Sequence, residues 1–262
     1  MRIGLIGWGA IGQTVARLLE DSPVEIAFVA VNDPERARSG LPAGTALISD
    51  PAELVGHDVC LVAEAAGRSS VDPWGHASLQ RGADFIVSSV SALADPALLD
   101  ALRASAIRHQ RQLEIQTGAL GGIDALAGAM HMGVDSVVHR IVKPPRAWRS
   151  TPAEDLCDLE HLSEPVAFFQ DSAAATATAF PKNANVAMTT ALAGIGPERT
   201  IISLVADPDS TTNRHEISAS GAFGELDVVI ANNPLPDNPK TSAMAALNLA
   251  RAIQNRVNPV II

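Results

Sequence analysis

The stretch that most limits what this chain can become is its amino-terminal run, RIGLIGWGAIGQTVARLLE, residues 2–20. Residues 2–7 read as a short buried strand, and 11–20 carry helical spacing through Ile11, Val15, Leu18 and Leu19. Between them Gly7, Gly9 and Gly12 stand in the spacing G-x-G-x-x-G, in the strand–turn–helix context that this motif requires. Each glycine has a separate physical task. Gly7 allows the tight turn, Gly9 lets the backbone approach a pyrophosphate, and Gly12 lets the helix pack on the strand. Ala10 and Ile11 then open the helix, where unpaired N–H groups attract an anion. The competing reading is a glycine-rich turn without a ligand; the context favours a nucleotide.

A second strand at 25–31 leads into Asn32 and Asp33. An acidic side chain there accepts hydrogen bonds from the adenosine ribose, which suits NAD. Arg36 and Arg38 follow closely and suit a 2′-phosphate, so NAD and NADP both stay open. Asp33 also begins an Asn-Asp-Pro turn, which by itself is ordinary turn chemistry. Further strands are expected at 46–49, 58–65, 84–90 and 112–117, with helices at 71–81 and 95–109. The second helix has Asp95 as N-cap and Pro96 in its first position. This alternation predicts a Rossmann-type, doubly wound parallel sheet over residues 1–117. Glu64, Ala65 and Ala66 fall at one strand end and Ser89–Ala92 at another, where small side chains leave room for a nicotinamide ribose.

The pattern changes after the Gly-rich stretch at 118–122. Strands at 134–143, 165–169, 199–206, 213–220 and 225–231 predict an α+β domain over 118–238, an open, largely antiparallel sheet with helices on one face. Asn183 is read as the N-cap of a helix that Gly194 or Gly196 ends. A closing helix over 239–257 is expected to start with Asn238 as cap and Pro239 in its first turn. Its stripe is Ala243, Leu247, Ala250 and Ile253, and it returns to pack on the first domain.

In the strand at 213–220, Asn213, His215, Ile217 and Ala219 share one face. A histidine on an otherwise apolar face is either a core residue tied by a hydrogen bond or a group that titrates near neutrality for a reaction. The other histidines, at 57, 76, 109, 131, 139 and 161, show no metal-ligand spacing and read mostly as surface or helix-end residues. No metal is expected.

Of 262 residues, 47% are hydrophobic and 18% charged, with a net charge of -10, the balance of a globular enzyme and a poor one for a nucleic-acid partner. Cys60 and Cys157 suggest reduced thiols in the cytoplasm. The amino-terminal apolar run leads straight into the glycine motif, unlike a signal peptide, and no apolar run reaches the roughly 18 residues of a membrane helix.

Taken in order, "GLIGWGAIG", "EAAG", "SALAD", "TGALGGIDAL", "KPP", "FPKNANVA", "NRHEI" and "GAFGELDVVIANNPLPDNPKTS" resemble the L-aspartate dehydrogenase family over nearly the whole chain. The resemblance implies a two-domain, homodimeric, NAD(P)-dependent amino-acid dehydrogenase. Such an enzyme oxidises L-aspartate to iminoaspartate, which hydrolyses to oxaloacetate and ammonia, and it is tied to NAD biosynthesis. It implies His215 as the catalytic histidine, and Ala119 and Asn185 as cofactor contacts alongside Ala65. This chain departs from the pattern where Ala174 and Ala175 replace an Arg–Glu pair and where Ser91 replaces a glycine. A dicarboxylate needs converging cations or N–H groups; Lys143, Lys182 and Lys240 are the candidates, with Asn233 and Thr241 as neutral donors or acceptors. The alternatives are a homoserine-dehydrogenase-like or imine-reducing relative, or a protein that senses NAD(P)H without turnover.

Overall fold

A computed structural model describes residues 1–261, apart from the side chains of Pro239 and Lys240. Apolar runs that must be covered on both faces form the inner strands of a parallel sheet. The first unit, Met1–Gly118 with Ala245–Ile262, is built on this rule. Its elements are β1 (Arg2–Ile6), α1 (Ala10–Leu18), β2 (Glu25–Ala30), β3 (Ala46–Ile48), β4 (Leu61–Glu64), α2 (Arg68–Gln80), β5 (Asp84–Val87), α3 (Pro96–His109) and β6 (Leu113–Ile115). Six parallel strands run in the order β3-β2-β1-β4-β5-β6. The chain order reverses on either side of β1, which creates the switch point where such sheets bind ligands. Asp95 caps α3 through a bond from the Ala97 N–H, as its position before Pro96 predicts.

The second unit, Ala119–Met244, contains α4 (Ile123–Ala129), β7 (Val134–Lys143), β8 (Val166–Ser172), α5 (Ala173–Ala179), α6 (Ala184–Ala193), β9 (Ile201–Ala206), β10 (Asn213–Gly221) and β11 (Gly224–Asn232). The sheet order is β11-β10-β7-β9-β8, antiparallel at every pairing except β7 with β9. Alternation sorts the faces. Val137, His139 and Ile141 from β7 and His215, Ile217 and Ala219 from β10 are buried. Against this side pack Leu126 of α4 and Ala187 and Ala191 of α6. On the alternate positions Glu216 pairs with both Arg214 and Arg140.

A short hairpin of β12 (Pro234–Leu235) and β13 (Asn238–Ser242) precedes α7 (Ala243–Gln254). Three sequence expectations fail in these stretches. Asn238 does not cap the last helix; it lies in β13, and its amide donates to the Thr241 hydroxyl at 3.0 Å. Asn-Pro chemistry serves an extended strand as well as a helix start. The buried stripe of α7 is Ala246, Leu249, Ala250 and Ile253, one face at i, i+3, i+4 and i+7 that leaves Leu247 off it and 44% exposed. Asn183 precedes α6 but makes no capping bond; its side chain is taken by a lysine. The helix α5 was not anticipated in the alanine-rich run, and the Ser172 hydroxyl caps it by accepting from the Ala175 N–H at 3.2 Å. Among the described residues no helix is long and apolar enough to cross a membrane.

Candidate functional site

In the first unit a cleft of about 580 Å3 opens at the carboxyl ends of β1, β2 and β4, lined by the glycine turn, Asp33, Arg36, Arg38, Ala65 and Ala66. The three glycines separate cleanly. Gly7 has φ +96, and a Cβ there would sit 2.7 Å from the Ala65 carbonyl oxygen. A Cβ on Gly12 would lie 2.3 Å from the Gly7 carbonyl oxygen, so only glycine lets α1 lie this close to the turn. A Cβ on Gly9 would meet nothing within 4 Å, so no protein contact demands that glycine. The first intrahelical bond is Gln13 N–H to Gly9 O at 3.0 Å, and neither a side-chain cap nor an acidic residue occupies the first turn. The N–H groups of Ala10, Ile11 and Gly12 therefore lack helical partners, which makes the turn a fit for a dinucleotide pyrophosphate. Asp33 is exposed at the cleft and accepts from the Glu35 N–H at 3.1 Å, so it is both turn residue and cleft residue.

Next to the cleft, sequence reasoning passed over the role of Glu64. Its carboxylate is fully buried. Oε1 accepts from the N–H groups of Ala66 and Gly67, both at 2.8 Å, and from the hydroxyl of Ser89 at 2.8 Å, while the Ser70 hydroxyl, 3.1 Å away, donates to the Gly67 carbonyl oxygen at 2.6 Å. Oε2 accepts from the N–H groups of Ser88 at 3.2 Å and Ser89 at 2.8 Å. One carboxylate thus ties the loop after β4 to the loop after β5. A buried charge needs this degree of satisfaction.

In the second unit His215 is 4% exposed. Its Nδ1 lies 3.1 Å from Nε2 of His139, and Nδ1 of His139 lies 2.9 Å from the Thr190 hydroxyl on α6. His139 is fully buried, not a surface or helix-end residue as expected. The signal was present: Val137, His139 and Ile141 repeat the histidine-among-apolar pattern of β10. Burial pushes the His215 imidazole down from its ordinary range to about 3, with the Lys143 charge as a second cause. Burial, then the neighbouring His215, holds His139 well below the usual range. Both rings are neutral at physiological pH. Nε2 of His215 has no hydrogen-bond partner among the described residues.

Lys143 ends β7, with its ammonium 4.7 Å from the centroid of the Trp148 ring and donating to the Asn183 side-chain oxygen. Burial, and then the charge of Lys182, lowers Lys143 to about 8. The two ammonium groups therefore lie close enough for one to disturb the titration of the other. Beside Ala119, the carbonyl of which accepts from Asn232 Nδ2 at 3.0 Å, Oδ1 of buried Asn232 has no partner. The sequence had singled out its neighbour Asn233, which is exposed. Asn185 is exposed in the first turn of α6, Thr241 is half-buried in the hairpin, and the Lys240 side chain lies outside the described residues. Among the described residues no group of His, Cys, Asp or Glu is arranged to hold a metal.

Comparison with known proteins covers both units. A family model described as "Aspartate dehydrogenase, C-terminal" matches residues 124–256, and one described as "Homoserine dehydrogenase, NAD binding domain" matches 7–116. An L-aspartate dehydrogenase of Brucella anthropi is 52% identical over 99% of this chain and 98% of its own length. That of Ralstonia pickettii is 40% identical over 99% of both. Among solved structures, aspartate dehydrogenase of Thermotoga maritima shares the fold, with a TM-score of 0.79 at 24% identity, covering 100% of this chain and 99% of that one.

Proposed function

The chain belongs to the L-aspartate dehydrogenase family, and from that membership we propose how its residues divide the work. The protein is an NAD(P)-dependent amino-acid dehydrogenase. It oxidises L-aspartate to iminoaspartate, which hydrolyses to oxaloacetate and ammonia, and it catalyses the reverse. The nicotinamide, when bound, supplies the acceptor for the two electrons of the Cα–H bond. All else falls to the protein.

The glycine turn, with Gly7, Gly9, Ala10, Ile11 and Gly12, holds the pyrophosphate on backbone N–H groups, Asp33 takes the ribose, and Ala65, Ala119 and Asn185 contact the rest of the cofactor. His215 is the acid–base group. Its Nε2 takes a proton from the substrate amine as the C=N bond forms, passes that proton to solvent, and, neutral again, takes one from the water that adds to the imine carbon. Lys143 and Lys182 bind a substrate carboxylate, supported by Lys240, Asn233 and Thr241. An anion paired with Lys143 cancels part of the field that depresses His215, so substrate binding itself makes the imidazole more basic. The observation that carries this reading is a buried imidazole held through one nitrogen, with the other unpartnered, within the field of a lysine suited to a carboxylate.

Homodimer assembly, a cytoplasmic setting and supply of the imine to NAD biosynthesis complete the proposal and rest on the family resemblance. The test is loss of NADH absorbance with oxaloacetate and ammonia, repeated with NADPH, and the reverse reaction with L-aspartate or homoserine. Turnover specific to the aspartate–oxaloacetate pair, absent in His215→Ala with NADH binding retained, is the expected result. Preferred oxidation of homoserine, or a fully active His215→Ala, would overturn it.

A further inference from the structure

The mechanism needs an unprotonated Nε2 on His215, and a neutral imidazole has that only when its proton sits on Nδ1. We propose that Thr190 and His139 are positioning residues that fix His215 in this tautomer, acting through a one-way chain of hydrogen bonds. The chain is read from its far end. The Thr190 hydroxyl lies 3.1 Å from the Val186 carbonyl oxygen and 2.9 Å from His139 Nδ1. A hydroxyl has one proton, and a carbonyl oxygen can only accept. Were that proton aimed at His139, oxygen lone pairs of Thr190 and Val186 would face each other at 3.1 Å with nothing between them. Only one arrangement makes every contact a bond. Thr190 donates to Val186 and accepts from His139 Nδ1–H. His139 Nε2 then carries the lone pair and accepts across the 3.1 Å gap from His215 Nδ1–H. The Nε2 of His215 is left as a bare acceptor.

All four groups belong to the second unit: β7 supplies His139, β10 supplies His215, and α6 supplies Thr190 and the Val186 carbonyl. His139 and Thr190 are both fully buried, so water does not compete for the chain. The depressed basicity of both rings agrees, since a doubly protonated ring would have no lone pair to accept with. Neither His139 nor Thr190 needs to touch substrate. Their part is to decide which nitrogen of His215 does.

The inference rests on His215 as the acid–base group, and the experiment keeps the two claims apart. Long-range proton–nitrogen NMR on the 15N-histidine-labelled, full-length protein reads the tautomer directly. The expected spectrum shows a pyrrole-like Nδ1 and a pyridine-like Nε2 on both His139 and His215. Thr190→Val, isosteric but without the hydroxyl, is expected to mix the His215 tautomers and lower kcat roughly 10- to 100-fold, the scale seen when the partners that orient a working histidine are removed. KM for L-aspartate and NADH affinity should stay unchanged, and Thr190→Ser should restore both spectrum and rate. An Nε2-protonated His215 in the unsubstituted protein, or Thr190→Val with unaltered spectrum and kcat, overturns the proposal. An active His215→Ala instead removes the catalytic role of His215, whichever tautomer the spectrum shows.

Discussion

Glu64 in the first unit and His215 in the second are both buried polar side chains on strands, and they are wired in opposite ways. Every oxygen of Glu64 is occupied by N–H and hydroxyl donors from two loops. His215 is anchored at Nδ1 and has no partner at Nε2. The first arrangement ties two loops together beside the nucleotide cleft. In the proposed mechanism the second holds back one atom for a reaction. Full satisfaction marks a polar group that supports structure, and partial satisfaction in a dry place marks one with an unfinished bond to make.

The contrast breaks most visibly in the two truncations. His215→Ala is expected to lower kcat by roughly 10²- to 10⁴-fold, the range of a general acid–base group, with little change in NADH affinity. Glu64→Ala should act on stability instead. It leaves the N–H groups of Ala66, Gly67 and Ser89 without their acceptor, and a loss of about 3–5 kcal/mol in urea unfolding is expected. A Glu64→Ala protein of normal stability would erase the distinction.

Acid sharpens the same comparison. The unfolded chain protonates its histidines near pH 6.5, whereas folded His215 resists protonation down to about pH 3 and His139 is shifted in the same direction. Between those limits the unfolded state binds more protons, so stability falls as pH drops below about 6.5 and is insensitive to these groups above it. Hydrogen exchange at pH 5 should show β7 and β10 losing protection before β1 and β4. Lys143→Met tests the anion site: KM for L-aspartate should rise roughly 10- to 100-fold, the worth of a charge-assisted hydrogen bond. In the unsubstituted enzyme KM should also rise above about pH 8, where Lys143 loses its proton, and that pH dependence should vanish in the variant.

What could be read from sequence follows from how local each feature is. The glycine turn, Asp95 before Pro96, and the face shared by His215, Ile217 and Ala219 are set by residues within a few positions of each other. The relay is not local. It needs the register that sets Ile217 opposite His139 and His215 opposite Ile141, and a helix, α6, laid across that pair. His139 carried the same pattern as His215, but a pattern within one strand does not name the partner across the sheet. Asn183 shows the converse error. Its position just before α6 suggested a cap, and a lysine from β7, distant in sequence, claimed the side chain first. The start of α7 failed because Asn238 and Pro239 suit a helix start and an extended hairpin equally.

The smallest expected effect comes from the glycine turn, where two superficially equal substitutions should part company. Gly12→Ala places a methyl 2.3 Å from the Gly7 carbonyl oxygen, a backbone atom that cannot step aside cheaply, and should cost stability by about 1–3 kcal/mol as overpacking does. Gly9→Ala adds a methyl that meets no protein atom within 4 Å, so the urea midpoint should stay where it is. If the space over Gly9 belongs to the pyrophosphate, that methyl stands in the ligand's place, and NADH affinity should fall about 10-fold, or about 1.4 kcal/mol. Fluorescence titration with NADH reads one consequence and urea unfolding the other. Unchanged affinity in Gly9→Ala would mean that the open space over the turn is solvent and that the anion sits elsewhere on α1. The close approach over Gly9 would then no longer be the first unit's means of holding its ligand.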